Sequence, residues 1–160
     1  MGRRQVRCHG DESRFAIVAE FIYQKYGTDV RHIADVAGGQ GLLSRILNKK
    51  YNYFAEVVDP RGFALKGVPS VQSLYSADMA EFYDLIVGLH PDGATRAVAE
   101  SARRRPVVLV PCCNEWDKAR KLGAKELVGA ISEYLAGEGV AHEIVELGFK
   151  GPKNVAIVTW

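Results

Sequence analysis

The chain has 160 residues and a mass of 17.6 kDa, which suits one domain with a substantial buried core. Its composition, 48% hydrophobic and 25% charged, is ordinary for a folded protein and excludes intrinsic disorder. No apolar run approaches the roughly 20 residues that a membrane span needs, so we expect no membrane partner. A formal net charge of +2 is too small to indicate a nucleic-acid partner by itself.

The N-terminus and the cysteines predict where the protein resides. Residues 1–7 are basic, but no apolar signal core follows them. Three cysteines, two of them adjacent at Cys112 and Cys113, do not make a disulfide framework. We therefore expect a cytoplasmic protein.

The predicted elements alternate between helices and strands. Residues 1–29 form a basic segment and a helix over 11–26 that ends at Gly27. Nearly apolar runs then predict buried parallel strands at 30–36, 53–58, 70–75, 84–89 and 107–110. Helical patterns occupy 42–50, 94–103 and 118–136. This order predicts an α/β fold, with an open, doubly wound and mostly parallel sheet in one domain over residues 1–160.

The end of the chain predicts a different arrangement. Two extended runs, at 141–148 and 155–160, follow the last helix. A turn containing Gly151 and Pro152 joins them, which is typical of an antiparallel hairpin.

Two connections are too short for a full crossover helix. The stretches between Asp59 and Ser70 and between Tyr75 and Asp84 fall short of the dozen or so residues that a parallel crossover normally takes. One face of the sheet is therefore expected to be thinly covered near strands two to four. A second copy of the chain, another protein partner or the substrate would cover it.

The most informative motif follows the first predicted strand. Residues 35–41, Asp-Val-Ala-Gly-Gly-Gln-Gly, lead into a helical pattern, and glycine lets the backbone of such a turn approach a ligand closely. Asp59, about 24 residues after Asp35, ends the next strand, where a carboxylate is placed to accept hydrogen bonds from two ribose hydroxyls. Together the loop and the acid predict a pocket for an adenosine-type cofactor.

The loop and the C-terminal hairpin together resemble the class I S-adenosylmethionine-dependent methyltransferases. In that family the last strand inserts antiparallel, and the loop after the first strand reads Asp-x-Gly-x-Gly-x-Gly. Here Ala37 replaces the first of those glycines, while Gly39 and Gly41 match the other two. A nicotinamide-binding fingerprint is the alternative, although its third glycine would fall at Ser44.

The resemblance implies S-adenosylmethionine as the cofactor and a role for each position of the pocket. Gly39 and Gly41 would pass the backbone beside the methionine part of the cofactor. Asp59 would hold the ribose, and Pro60 would lie against the adenine edge. The other implied residues shape the turn, as Asp35, Ala37 and Gly38, or wall the adenine, as Leu74 and Tyr75.

The ends of the fourth and fifth predicted strands carry the candidate catalytic residues. His90, with an ordinary pKa of about 6.5, is placed to act as a base or to hydrogen-bond the methyl acceptor. Asp92 is the second candidate, with a helix N-cap as its alternative role. Cys112 and Cys113 fit small buried residues better than nucleophiles. Because no further cysteine pair stands at ligand spacing, we expect no metal site.

These strand ends also resemble a smaller group of methyltransferases that includes tRNA ribose methyltransferases. In that group the fourth strand ends Leu-His-Ala-Cys-Gly-Asp and the fifth ends Pro-Cys-Cys. Residues 89–90 (Leu-His) and 111–113 (Pro-Cys-Cys) match, whereas residues 91–93 depart from the pattern. The tRNA enzymes of that group make tRNA or rRNA the preferred acceptor. The Asn-Pro-Pro-Tyr turn used to methylate planar amino groups is missing, which disfavours adenine N6 and glutamine amides as acceptors.

An RNA acceptor would need cations to guide it. The basic candidates are Arg3, Arg4, Arg7, Lys49, Lys50, Arg103, Arg104, Arg105, Lys118, Arg120 and Lys121. No aromatic residues are interleaved with them, so we expect no stacking platform for bases. Their alternative role is that of an ordinary solvated surface.

The sequence therefore predicts a methyltransferase that uses S-adenosylmethionine and acts on RNA. Three alternatives stay open at this point. They are a nicotinamide-dependent oxidoreductase, a non-catalytic cofactor-binding subunit of a methyltransferase complex, and a methyltransferase for a protein or small molecule.

Overall fold

A computed structural model describes residues 5–8, 10–151 and 153–160. Arg3 and Arg4, two of the predicted RNA-binding cations, and Pro152 of the predicted hairpin turn lie outside these residues. Among the described residues, no helix has the length and apolar character needed to cross a bilayer.

Helices and strands alternate over most of the chain. The elements are α1 (Arg14–Tyr26), β1 (His32–Val36), α2 (Leu42–Tyr51), β2 (Phe54–Val58), β3 (Ser70–Val71), β4 (Leu85–Leu89), α3 (Thr95–Glu100), β5 (Val107–Val110), α4 (Ala124–Gly137), β6 (His142–Glu146) and β7 (Val155–Thr159). Short 3-10 helices lie at Ala77–Phe82, Asp92–Ala94 and Ser101–Arg103.

The strands of the described residues form a seven-stranded sheet in the order β3-β2-β1-β4-β5-β7-β6. The first five strands pair in parallel, and β7 runs antiparallel to both of its neighbours. The predicted α/β fold, an open, doubly wound and mostly parallel sheet with a C-terminal antiparallel hairpin, is confirmed. The strand order reverses at β1 and β4, and the carboxyl ends of the strands at such a switch point form a ligand crevice.

Alternate residues of the central strands fill two separate cores, because successive side chains of a strand point to opposite faces. In β4, Leu85 and Val87 belong to the core that α1 and α2 cover. Ile86, between them, belongs to the core that α3 and α4 cover. Coverage on both faces explains why these strands read as continuous apolar runs.

The last helix is shorter than predicted. It begins at Ala124, and residues 118–123 are not helical. The side-chain amide of Asn114 donates hydrogen bonds to the carbonyl oxygens of Asp117 and Arg120. Polar side chains that bond locally to the backbone in this way compete with helix formation. The helical prediction for this segment was therefore wrong.

The third strand is also shorter than predicted, and the connections beside it are short. Ser70–Val71 pairs with β2, but the rest of the predicted run at 70–75 does not. Within the described residues, no helix joins β2 to β3, and a 3-10 helix joins β3 to β4. Leu74 and Phe82 are each 77% exposed. That a partner or a second copy covers this face stays a prediction.

Candidate functional site

A large cleft lies at the carboxyl ends of β1 and β4. Its volume is about 1110 Å³, slightly above the roughly 300–1,000 Å³ of typical small-molecule pockets. Its walls are the loop after β1, the end of β4, the start of α1, and the turn between β6 and β7. The cleft is therefore large enough for a nucleoside cofactor and part of a second molecule.

The cleft brings together about half of the residues that the sequence proposed. Those that line it are Asp35, Ala37, Gly38, Gly39, His90 and Asp92. Asp59 lies behind Arg61, which lines the cleft and donates hydrogen bonds to that carboxylate. Gly41 is buried at the start of α2, where a Cβ would lie 2.6 Å from a methyl group of Val68.

The three residues proposed for the adenine pocket are not part of the cleft wall. Pro60 is exposed, and Leu74 is largely exposed. Tyr75 is buried in the core on the α3 side, and its hydroxyl lies 2.7 Å from the hydroxyl of Ser101. None of the three contributes to the lining of the cleft, and their role at the adenine stays a prediction.

The loop after β1 needs residues without a Cβ. Gly39 and Gly41 have φ angles of 59° and 80°, which favour glycine. A Cβ on Gly38 would lie 2.6 Å from the carboxylate carbon of Asp35. Ala37, in place of the family's first glycine, adopts a φ of 54°. That conformation costs a residue with a Cβ roughly 1–2 kcal/mol.

Unfavourable backbone conformations concentrate around the cleft. In the described part of the chain, four non-glycine residues have positive φ, and three of them, Ala37, His90 and Asp92, line the cleft. The fourth, Asn52, ends α2 in an ordinary left-handed cap. Strained residues persist where the surrounding structure holds them for a purpose, and they cluster at active sites. Histidine and aspartate enter this region more readily than most residues, so Ala37 is the clearest strained position. Its place in the loop after β1 makes the cleft the candidate functional site.

Asp35 is held below the loop and is 2% exposed. Burial raises its pKa to about 6, although a hydrogen bond from the Ser44 hydroxyl, at 2.8 Å, acts in the opposite direction. Asp35 therefore supports the turn at Gly38 as a partly protonated carboxyl group near pH 6.

Asp59 is 3% exposed and accepts four hydrogen bonds. The backbone amide of Gly39 donates one at 3.0 Å, and Arg61 donates three, from its backbone N (2.9 Å), Nε (3.0 Å) and Nη2 (2.7 Å). Burial alone would raise the pKa of Asp59, but these hydrogen bonds outweigh it and hold the pKa below its ordinary value. Since a carboxylate offers about four acceptor positions, Arg61 occupies those that a ribose would use.

His90 is oriented by the turn between β6 and β7. Its Nε2 lies 2.8 Å from the carbonyl oxygen of Lys153. A carbonyl can only accept, so Nε2 carries the proton, and Nδ1 of the neutral ring is the basic nitrogen. Burial lowers the pKa of His90 below its ordinary value, so the ring is neutral at pH 7.

Asp92 does not cap a helix, which corrects the alternative role given to it above. No side chain caps the 3-10 helix or the α-helix that follows it. Its Oδ1 instead accepts a hydrogen bond from the thiol of Cys112 at 3.1 Å. Burial and this contact raise the pKa of Cys112 to about 12. Cys112 is partly buried and Cys113 is exposed, so the expectation of a buried residue was wrong for Cys113.

Cations line the cleft, but most are not those that the sequence proposed. The lining cations are Arg7, Arg14, Arg61, Lys150 and Lys153. Among the described candidates from the sequence, Arg7 alone is one of them. The sequence missed the others because they lie in three separate segments that only the fold brings together. For Arg61, a signal was available in its position two residues after Asp59, which suits a hydrogen bond to that carboxylate.

The remaining basic candidates are distributed over the rest of the surface. Lys49 and Lys50 end α2, and Arg103, Arg104 and Arg105 precede β5. Both groups lie at the amino ends of the strands, which is the sheet edge opposite the cleft. Salt bridges join Arg103 and Arg104 to carboxylates. Lys118, Arg120 and Lys121 follow β5 on the cleft side but do not line the cleft.

The N-terminal segment forms one wall of the cleft. The side chain of Gln40 accepts a hydrogen bond from the amide of Arg7 at 2.7 Å and donates one to the carbonyl of Gln5 at 2.9 Å. Asp11 accepts a hydrogen bond from the backbone amide of Lys150 at 2.9 Å. The segment is thus attached both to the glycine loop and to the turn between β6 and β7.

Comparison with known proteins identifies the fold of the chain through solved structures. No family model and no curated protein matched the chain. The methyltransferase domain of the bacterial protein CtHen1 matches 93% of this chain and 98% of its own, with 15% identity and a TM-score of 0.63. DesVI from Streptomyces venezuelae matches 92% of each chain, with 13% identity and a TM-score of 0.58.

A third structure, Trm1 from Pyrococcus horikoshii, was solved with S-adenosyl-L-methionine. It matches 95% of this chain, with 16% identity and a TM-score of 0.60, while this chain spans 56% of its length. Because the identities are low, these matches show a shared fold and nothing about the residues of the cleft. The chain has the Rossmann-like fold of the class I S-adenosylmethionine-dependent methyltransferases.

Proposed function

We propose that this protein is an S-adenosylmethionine-dependent methyltransferase that acts on RNA. The observation that best supports this cofactor is the hydrogen bond from the Gly39 amide to the Asp59 carboxylate, at 3.0 Å. It joins the glycine loop and the acid into one surface at the switch point of the sheet. Similar folds solved with S-adenosylmethionine or its product, in Trm1 and the plantazolicin methyltransferase BpumL, support the same cofactor.

The residues present fit such a cofactor. Gly38 lets the loop pass directly over Asp35, where a Cβ would clash, and Gly39 provides the positive φ of the turn. The Asp59 carboxylate suits a pair of ribose hydroxyls. One feature must change on binding, because the guanidinium of Arg61 has to leave Asp59 before the hydroxyls can reach it. When bound, the cofactor supplies an electrophilic methyl group.

The chain's own contribution to the reaction is positioning and proton transfer. A hydroxyl acceptor has to be held in line with the methyl group, which is chiefly a matter of orientation. His90 lines the cleft as a neutral ring, and its Nδ1 can take the proton that the hydroxyl loses. The carbonyl of Lys153 stabilises the resulting imidazolium through Nε2–H.

The cations around the cleft support RNA as the acceptor. Arg7, Arg14, Lys150 and Lys153 line its walls, where they would meet a polyanion that enters the cleft. Contacts with phosphates make binding weaken steeply as salt concentration rises. We therefore expect RNA affinity to depend strongly on salt and on these side chains.

A labelling experiment tests both parts of the proposal. The protein is incubated with labelled S-adenosylmethionine and separate pools of RNA, protein and small molecules, and label is expected in RNA. The double variant Arg7→Ala, Lys150→Ala should lose labelling, whereas the matched control Lys49→Ala, Lys50→Ala should keep it. Label confined to another pool would contradict RNA as the acceptor.

Binding measurements test the cofactor separately. Thermal stabilisation by S-adenosylhomocysteine is expected, and stabilisation by NAD(H) alone would indicate an oxidoreductase instead. If the protein binds S-adenosylhomocysteine but transfers no methyl group to any pool until a second protein is added, it is a non-catalytic subunit.

A further inference from the structure

We propose that Asp92, Cys112 and Cys113 bind a zinc-like divalent cation at the wall of the cleft. One carboxylate oxygen and the two sulfur atoms of these residues all lie within 4.8 Å of one another. In a tetrahedral zinc site, bond lengths of about 2.0–2.3 Å place the ligand atoms about 3.5–3.8 Å apart. No pair therefore needs to close by more than about 1.3 Å to meet one ion. The Asp92 oxygen and the Cys112 sulfur, now 3.1 Å apart, would separate slightly.

The fold brings the three ligands together from two neighbouring strands. β4 and β5 pair in parallel, with Leu89 opposite Val110. Asp92 follows the end of β4, and Cys112 and Cys113 follow the end of β5, so their side chains meet at the same edge of the sheet. Cysteine spacing alone predicted no metal site, because the third ligand is a carboxylate that only the fold brings beside the two thiols.

The Asp92 carboxylate is already in contact with one of the two thiols. The φ of Asp92 is 47°, in the left-handed region that aspartate and histidine enter more readily than most residues, and the neighbouring His90 has a φ of 52°. In this conformation, the Asp92 carboxylate lies 3.1 Å from the Cys112 sulfur.

The type and charge of the ligands suit zinc. Two thiolates and one carboxylate are softer than the all-oxygen sets that bind magnesium or calcium. With a doubly charged ion, the three anionic ligands leave a net charge of −1. The ammonium group of Lys153, 3.8 Å from the Cys113 sulfur, would neutralise that charge.

Three protein ligands leave a fourth position open, as in catalytic rather than structural zinc sites. Asp92 and Cys112 line the cleft next to His90. A cation held there would be placed to bind an oxygen of the acceptor and lower its pKa. This role rests on the proposed function, whereas the binding of the cation does not.

Metal titration of the intact, reduced protein tests the proposal. After treatment with a chelator, the protein is titrated with Co²⁺, and zinc affinity is measured by competition with a chromophoric chelator. One equivalent is expected, with the near-ultraviolet absorption of a thiolate–metal bond. Cys112→Ser, Cys113→Ser and Asp92→Asn should each weaken zinc binding by about 100-fold, the upper end of the loss seen when even a partner of a ligand is removed. Cys8→Ser, which replaces the chain's remaining cysteine, should not change it.

Several results would overturn the proposal. They are failure of the wild-type protein to bind one equivalent, unchanged binding in both serine variants, and equal loss in the Cys8→Ser control. Circular dichroism of each variant separates loss of ligands from loss of folding. Tight zinc binding without binding of S-adenosylhomocysteine would leave this inference standing and refute the proposed function, and the opposite result would do the reverse.

Discussion

Replacing Arg61 by alanine should tighten binding of the cofactor product S-adenosylhomocysteine. Arg61 holds the Asp59 carboxylate through Nε and Nη2, at 3.0 and 2.7 Å. Ribose hydroxyls have to displace these donors, so the energy of this contact is lost whenever the nucleoside binds. The Arg61→Ala variant keeps the backbone amide that contacts Asp59, at 2.9 Å, and removes the competing side chain.

The size of the effect follows from the exposure of the pair. A hydrogen bond to a charged group contributes about 1.5–3 kcal/mol, and two are present here. The Arg61 side chain is 48% exposed, so solvent screening reduces the benefit. A total of about 1–2 kcal/mol corresponds to a dissociation constant about 5 to 30 times lower in the variant.

Titration calorimetry at low and high salt provides the assay. The difference between wild type and Arg61→Ala should shrink as salt screens the ion pair. Arg31→Ala, at an exposed position just before β1 at the opposite sheet edge, is the matched control and should bind like wild type. If the folded Arg61→Ala variant binds as wild type does, or more weakly, then Arg61 does not compete with the nucleoside and the reasoning is refuted.

Four further substitutions test the backbone at positive φ, the buried carboxyl group and the proposed base. Ala37→Gly should raise Tm by about 2–4 °C by relieving a φ of 54°, and Gly67→Ala, at a φ of 87° in open space, should lower it. Burial raises the pKa of Asp35 from 3.8 to about 6. The native state therefore keeps a proton that the unfolded state releases, and stability falls as pH rises through this window. Asp35→Asn should remove that slope in urea unfolding at pH 4 to 7. His90→Ala should lower methyl transfer at least about 100-fold and leave binding of S-adenosylhomocysteine unchanged, and undiminished transfer would exclude the base.

The sheet was predictable because its strands are covered on both faces. A strand such as Val107–Val110 then reads as an unbroken apolar run, and its observed bounds equal the predicted ones. The third strand and the start of the last helix were not predictable in this way. Side-chain hydrogen bonds from Asn114 to the carbonyl oxygens of Asp117 and Arg120 compete with helix formation before α4. The periodicity of apolar residues does not reveal such bonds.

The position of the cleft was predictable where its wall directly follows a strand. His90 and Asp92, which come just after a buried run, line the cleft as expected, and their catalytic roles stay a prediction. The walls supplied by other segments were missed, since a contact such as that between Asp11 and Lys150 joins residues 139 positions apart. The substitution of Ala37 for the family's glycine was visible in the sequence, but its positive φ required the structure.

The two carboxylates at the glycine loop are kept in different states, and the difference has a physical cause. Both are almost fully buried, and burial raises the pKa of each. Asp35 receives one side-chain donor, from Ser44, and stays partly protonated near pH 6. Asp59 receives four donors and stays charged. Two full charges beside the same loop would repel, so a proton on Asp35 favours the ionised Asp59 that hydroxyl donors require. Arg61 supplies three of these four donors, and the two from its side chain have to leave when the nucleoside binds.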